Sequence, residues 1–177
     1  MTTETTTLGA GCFWCIEAIF DGLAGVESVE SGYIGGHVVD PTYREVCGGA
    51  TGHAEAARIV FDPAIVTFDE ILDIFFEIHD PTQLNRQGND VGTQYRSAIF
   101  VGNPAEKGAA QAALRDAGVQ LKKPIATLLL PATAFWPAEG YHQDFFAKNP
   151  GQGYCMAVAQ PKVNKVRKSY AKYVIAA

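Results

Sequence analysis

The apolar positions of this 177-residue chain change period several times, and each change marks an element. Thr5 to Leu8 read as a short strand entering Gly9-Ala10-Gly11, after which Phe13, Ile16, Ala18, Ile19, Phe20 and Leu23 recur at helical spacing. Val26 to Tyr33 suit an exposed strand, ended by Gly32 and Gly35-Gly36. Residues 37–52 then form a loop long enough to suggest a function. From His53 to Phe61 a period of two puts His53, Glu55, Ala57, Ile59 and Phe61 on one face, so a carboxyl points the way the apolar residues point. Thr67 and Glu70 make a capping box for a helix whose apolar stripe runs through Ile71, Leu72, Phe75, Phe76 and Ile78 and stops at Asp80-Pro81.

Beyond a polar loop at 83–93, the spacing predicts a strand from Gln94 to Val101, with Tyr95, Ser97, Ile99 and Val101 on one face. Asn103-Pro104 and Glu106 open a helix that reaches Ala117, with Gly118 as its left-handed stop. Ile125 to Leu130 read as a buried strand, and Ala138 to Lys148 as a short helix carrying Tyr141. Strands and helices in mixed order, without a regular βαβ repeat, predict an α+β two-layer sandwich. Its sheet should be mixed and partly antiparallel, with a ferredoxin-like type of core. No repeat or linker divides the chain, so residues 1–177 read as one domain. Residues 149–177 read as a largely irregular segment in which Cys155 sits on pliable Gly151-Gln152-Gly153.

Composition adds limits. With 47% hydrophobic and 19% charged residues the chain can bury a sizeable core. The N-terminus lacks a basic and apolar leader, and no apolar run reaches membrane-spanning length, so the protein reads as soluble and cytoplasmic, with no membrane partner. Four cysteines are too few for a disulfide scaffold. Five of the 14 basic residues fall in 162–177, where there is no acid, leaving 9 basic against 19 acidic residues in 1–161. Such a body repels nucleic acid, and the basic tail reads as a solvated terminus.

Cys12 and Cys15 stand three apart at the first turn of the predicted helix, with Phe13 and Trp14 between them. Unpaired N–H groups and the helix dipole favour a thiolate at Cys12, and Cys15 is one turn away, near enough to attack an oxidised Cys12 sulfur. The competing readings are two buried structural thiols, or half of a zinc site whose other half neither Cys47, Cys155 nor the histidines supply at the usual spacing. Glu55, buried on an apolar face, would hold its proton near neutrality and could donate it; spacing alone favours an edge-strand Glu that reaches solvent or an Arg. His53 is a second partner for Cys12, in a pair of hydrolase type, although a lone His is more often structural.

These residues lie within a longer series: GCFW at 11–14, GYIGG at 32–36, PTYREVCGGATGHAEA at 41–56, HDPT at 79–82, RQGNDVGTQYRSAIF at 86–100, YHQDFFAKNP at 141–150 and GYC at 153–155. Over most of its length the chain thus resembles the A-type peptide methionine sulfoxide reductases, which act on the S epimer. The resemblance implies that Cys12 attacks the sulfoxide sulfur, that Glu55 protonates the oxygen held by Tyr43 and Tyr95, that Phe13 and Trp14 receive the methyl group, and that Asp90 completes the pocket. It implies a sulfenic acid on Cys12, closed by a second thiol and reduced by thioredoxin, with no cofactor and no metal. The substrate would be methionine-S-sulfoxide in proteins, in peptides or free. Where relatives often have Gly, this chain has Cys15. It keeps Cys155 of GYC but lacks a further tail cysteine. The family match and a glycine-flexible coil make Cys155 the favoured resolving thiol over Cys15, whose advantage is proximity, and Cys47 reads as a bystander. C-x-x-C alone would also suit a general thioredoxin-like dithiol oxidoreductase on Cys12 and Cys15.

Overall fold

The structure is a computed structural model that describes residues 2–175. In chain order its elements are β1 (Glu4–Ala10), α1 (Phe13–Phe20), β2 (Val26–Ile34), α2 (Tyr43–Cys47), β3 (Ala54–Phe61), α3 (Phe68–Ile78), β4 (Arg86–Gln87), β5 (Asp90–Val91), β6 (Ser97–Val101), α4 (Pro104–Leu121), β7 (Leu128–Pro131), β8 (Trp136–Pro137), α5 (Phe145–Lys148) and α6 (Gln160–Ser169). The main sheet runs β7-β6-β1-β3-β2-β8, and only the β6–β7 pair is parallel. This is the expected α+β architecture with a mixed, largely antiparallel sheet.

The register positions the site. Leu8 pairs with Ala57 and Tyr33 with Glu55, so the end of β1 that feeds Gly11 and Cys12 lies beside the start of β3 that carries Glu55. One face of the sheet is covered by α1, α3 and α6. There Leu8, Ile16, Phe20, Ile59, Leu72, Phe75, Val163 and Val166 form the main core. Truncating a fully buried ring such as Phe75 to Ala in so dense a cluster costs about 3–5 kcal/mol. A smaller cluster of Ile34, Ala54, Ala56, Ala98 and Phe100 fills the other face. The start of β3 is therefore buried on both sides, which is why Glu55 has no route to water.

Several boundaries differ from the sequence reading, each for a local reason. Thr42 and Glu45 form a capping box that the loop reading of 37–52 missed, and it starts α2. Gly92, at φ 147°, turns the chain into a 3-10 turn at Thr93–Tyr95, so Tyr95 precedes the strand and does not head its core row. The helix α4 runs past Gly118, and Lys122 at φ 52° makes the left-handed stop. At the sheet edge β7 begins only at Leu128 and is half exposed. Asp144 at φ 53° splits the helix expected at 138–148 into a 3-10 turn, Gly140–His142, and α5.

The largest correction concerns the C-terminal segment, which is helical from Cys155 to Ser169: a π-helical turn at Cys155–Ala159 leads into α6. Pro161 in its first turn suits a helix start, and the buried stripe is only Val163 and Val166, too narrow to register as a period in a basic sequence. The basic tail is thereby explained. Lys165 pairs with Glu77 at 3.5 Å and Lys172 with Glu70 at 2.8 Å, strapping the tail across the acidic flank of α3. Among the described residues no helix is long and apolar enough to cross a membrane.

Candidate active site

Gly11 sits at φ 90°, with the Gln87 side chain so close that a Cβ would meet it at 2.7 Å. That residue must be glycine for β1 to turn into α1. The turn puts Cys12 at the N-cap position, without a side-chain cap, so the first N–H groups of α1 are left for other acceptors. One of them is taken by the catalytic candidate on β3: the Phe13 N–H donates to Glu55 Oε2 at 3.1 Å. Glu55 is 1% exposed, and burial, reinforced by the negative charges of Asp90 and Cys15, raises its pKa to about 8 against the relief given by Phe13. It is not an edge carboxylate reaching an Arg. It is a protonated acid at neutral pH that accepts at one oxygen and keeps a hydroxyl to donate.

The dithiol behaves differently from the helix-dipole expectation. Burial, a hydrogen bond with Cys15 and the neighbouring Glu55 push the Cys12 thiol up, so Cys12 is not a resting thiolate. Cys15 is the lowered partner, brought down to about 7 by the bond from Cys12, with help from Lys162 and Tyr154. Desolvation beside a carboxyl outweighs the dipole of an eight-residue helix. The pair thus gives up its first proton near pH 7, from Cys15, and keeps the one on Cys12.

Around Cys12 lies an aromatic cluster of Phe13, Trp14, Tyr33, Tyr43 and Trp136. Phe13 is fully buried against Tyr33, Tyr43 and His142 at ring distances of 5.8, 6.4 and 5.0 Å. Trp14 stacks on Phe145 at 3.7 Å, and its Nε1 donates to His142 Nδ1 at 3.0 Å. The two phenols expected to face the sulfoxide oxygen, Tyr43 and Tyr95, are both held firmly protonated, chiefly by burial. Asp90 lines a cavity of about 330 Å³ together with Cys12, Gln87, Tyr154 and Lys162, and its Oδ2 accepts from the Tyr154 hydroxyl at 2.6 Å. Cys12, Phe13, Trp14, Tyr43, Glu55, Asp90 and Tyr95 therefore meet at one end of the sheet.

Cys155 is buried, on a helical turn and not on a pliable coil, and the charge of Cys15 helps to raise its pKa. Cys47 is exposed, and burial of its sulfur beside Tyr43 raises its pKa. His53 is spoken for: Nδ1 accepts from Gly36 N–H at 3.0 Å, so Nε2 donates to the Val38 carbonyl at 2.7 Å. It braces the GYIGG turn and cannot serve as the base of a Cys–His pair. His79 has a similar structural post, buried between the Phe75 carbonyl and Ser97. Among the described residues no three His, Cys, Asp or Glu side chains gather as a metal site.

Four contributors escaped the sequence reading. Glu139 accepts from the Tyr33 hydroxyl at 2.9 Å, the Tyr43 N–H at 3.2 Å and the Tyr141 hydroxyl at 3.1 Å, tying the aromatic wall together. His142 and Phe145 support Trp14, and Tyr154 joins Asp90 to Cys15, with the Cys15 thiol 3.8 Å from its oxygen. The polar–aromatic density of 139–145 was the available signal.

The family model described as "Peptide methionine sulfoxide reductase" matches residues 4–174. The chain is 57% identical to the peptide methionine sulfoxide reductase MsrA of Clavibacter michiganensis subsp. michiganensis (strain NCPPB 382), over 98% of this chain and 99% of that one. Among solved structures it resembles methionine sulfoxide reductase A of Corynebacterium diphtheriae at 42% identity and TM-score 0.74, over 84% of this chain and 76% of that one. It also resembles the reduced form of Mxr1 from Saccharomyces cerevisiae, at 34% identity and TM-score 0.82, over 86% and 89%.

Proposed function

The chain belongs to the peptide methionine sulfoxide reductase family, and from that premise we propose how its residues divide the reduction of methionine-S-sulfoxide, free or within a polypeptide. The observation that carries the assignment is the buried, protonated Glu55 held by the Phe13 N–H beside Cys12. A sulfoxide is reduced when a sulfur nucleophile attacks its sulfur while its oxygen gains a proton. The Cys12–Cys15 monoanion supplies the nucleophile. As Cys12 engages the sulfoxide sulfur its proton passes to Cys15 through their shared bond, and Glu55 donates to the oxygen, which Tyr43 and Tyr95 hold. A bond forms between the Cys12 sulfur and the substrate sulfur; the substrate sulfur–oxygen bond then breaks as the protonated oxygen passes to the Cys12 sulfur, the sulfur–sulfur bond breaks, and methionine leaves with Cys12 as a sulfenic acid. Phe13 and Trp14 give the methyl group an apolar seat whose ring orientation is fixed by Phe145, His142 and Tyr33. Asp90 closes the pocket from β5.

For the second half we favour Cys15 over Cys155. Cys15 lies one helical turn from Cys12 and has the lower pKa, while Cys155 is buried on a helical turn. Cys15 attacks the Cys12 sulfur, oxygen departs as water, and a disulfide closes. A thioredoxin-type dithiol then reduces it; Mxr1 has been crystallised in complex with Trx2. A dithiol that must stand reduced between turnovers suits the cytoplasm.

The enzyme incubated with dithiothreitol and the separate epimers of N-acetylmethionine sulfoxide should consume the S epimer and leave the R epimer. Reduction of insulin disulfides with both epimers untouched would favour a general oxidoreductase and overturn the assignment. Peptide mapping after one turnover without reductant should show the Cys12–Cys15 link, and a Cys12–Cys155 link would reverse the choice of resolving thiol.

A further inference from the structure

The C-terminal segment brings two polar groups to the dithiol that the sulfoxide step does not use. Tyr154, just before the π-helical turn, lies with its oxygen 2.6 Å from Asp90 Oδ2 and 3.8 Å from Cys15 Sγ. Lys162, on the first turn of α6, lines the same cavity as Cys12, Asp90 and Tyr154, and has no ion-pair partner among the described residues. Its neighbour on the helix, Lys165, is spent on Glu77 of α3. A phenol has one proton to give. With Cys15 protonated, the thiol donates to the Tyr154 oxygen and the phenol donates to Asp90. With Cys15 ionised, the same phenolic proton can turn to the sulfur, and the Lys162 ammonium stands on the cavity that Cys12 and Tyr154 line.

We propose that Tyr154 and Lys162 are positioning residues for the resolving step, holding Cys15 as a thiolate ready to attack the sulfenic sulfur of Cys12. The proposal rests on Cys15 being the resolving thiol. Both groups arrive on the segment that carries Cys155, so the C-terminal helix serves the cycle through Tyr154 and Lys162. The step balances: Cys15 gives up the proton it took from Cys12, its thiolate forms the S–S bond, the Cys12 sulfur–oxygen bond breaks, and the departing hydroxide takes up that proton to leave as water. No further oxidant or reductant enters. The lowered pKa of Cys15 agrees with this, its causes including both Lys162 and Tyr154 after the bond from Cys12.

The test follows disulfide formation in a single turnover without reductant across pH, counting thiols and trapping residual sulfenic acid with dimedone. In Tyr154→Phe and in Lys162→Gln the pH midpoint of disulfide formation should move up, by roughly half a pH unit or more, the scale of losing one hydrogen bond or one nearby charge. Lys162→Arg should restore the original midpoint. A slower step with an unmoved midpoint in both variants means that the residues only pack the segment, and overturns the proposal. Since Tyr154→Phe also frees Asp90, Lys162→Gln provides an arm that leaves the phenol in place. Disulfide mapping separates the two levels: in Cys15→Ser a Cys12–Cys155 link formed at the unmodified rate refutes Cys15 as resolver, whereas in Tyr154→Phe and Lys162→Gln an unshifted profile with the Cys12–Cys15 link intact refutes Tyr154 and Lys162 alone.

Discussion

Glu55 and Glu17 are both buried carboxyl groups in contact with α1 or part of it, and both are raised by burial, Glu55 to about 8 and Glu17 to about 7. Their surroundings separate them. Glu55 accepts from the Phe13 N–H and feels the reactive sulfurs and both phenols. Glu17 faces the backbone at Asp144 and Phe145, yet neither of its oxygens completes a hydrogen bond of normal geometry. It borders a small cavity of about 160 Å³ that Arg167 also lines, without closing an ion pair. A perturbed pKa therefore identifies a buried carboxyl but not a catalytic one, and what decides is the proton's destination. From Glu55 the proton can reach a substrate oxygen beside Cys12. From Glu17 it reaches only the segment behind Trp14.

The sharpest way to break this contrast is to remove the proton from each. Glu55→Gln should lower the rate of sulfoxide reduction by ~10²-fold or more, the range for losing a general acid. Glu17→Gln, which keeps the shape, should stay within about 3-fold, because it touches no reacting atom. Methionine formation in a single turnover measures both. Equal losses would make Glu55 one more structural carboxyl.

The pH profile comes next. Forming the dithiol monoanion requires loss of a proton near pH 7, and Glu55 must keep its proton, which it gives up near pH 8. Activity should therefore rise through about 7 and fall above about 8, by up to about tenfold per pH unit on each limb. In Glu55→Gln the alkaline limb should vanish while the acid limb stays. In Glu17→Gln both limbs should persist, and a shift of the alkaline limb there would show that the two carboxyls are coupled.

What the sequence allowed followed from how local each signal was. Cys12, Phe13 and Trp14 sit on a glycine turn and one helical turn, so their proximity is legible from spacing, and the period of two in β3 aimed Glu55 inward. Protonation was not legible. Whether Glu55 met an Arg or a backbone N–H depended on the β1–β3 register, and the ordering of the two thiols depended on burial and on Lys162, far along the chain. The resemblance to the reductase family supplied the roles that spacing alone weighed the other way for Glu55. Tyr95 was expected on a strand because the positive φ of Gly92 has no signature in a hydrophobic pattern. The helix at 155–169 was missed because basic residues surround its two buried valines. Glu139 and His142 brace the aromatic rings of residues about a hundred positions earlier from the segment after β8, a relation that only tertiary structure creates.

The aromatic wall offers a milder test of the same division between reacting and supporting groups. Phe145 stacks on Trp14 from the segment that Glu17 faces. Phe145→Ala should raise KM several-fold with a smaller change in kcat, since it loosens a binding surface and leaves the acid and the nucleophile in place, at a scale of about 1 kcal/mol for one aromatic pair. Steady-state kinetics on a sulfoxide peptide reads the split. A fall in kcat alone would move Trp14 from the methyl seat into the chemical step.

The smallest effect is thermodynamic and returns to the two carboxyls. A carboxyl whose folded pKa lies above its unfolded value binds more protons when folded, so stability falls as pH rises between the two values. For Glu17 that window runs from about 4.5 to about 7, and for Glu55 from about 4.5 to about 8. Glutamine does not titrate, so Glu17→Gln should melt near the wild-type temperature at pH 4.5, gain on it as pH rises, and hold a constant lead of a few degrees above about pH 7, on the scale of roughly 2–4 °C per kcal/mol. The Glu55→Gln lead should keep growing for about one more pH unit, less whatever the altered bond to Phe13 costs. Thermal melts at unit steps of pH give both curves. A flat difference for Glu17→Gln would mean that the backbone N–H groups of Asp144 and Phe145 already satisfy its charge. Glu17 would then be a clamp on the Trp14 wall rather than an unpaired buried acid.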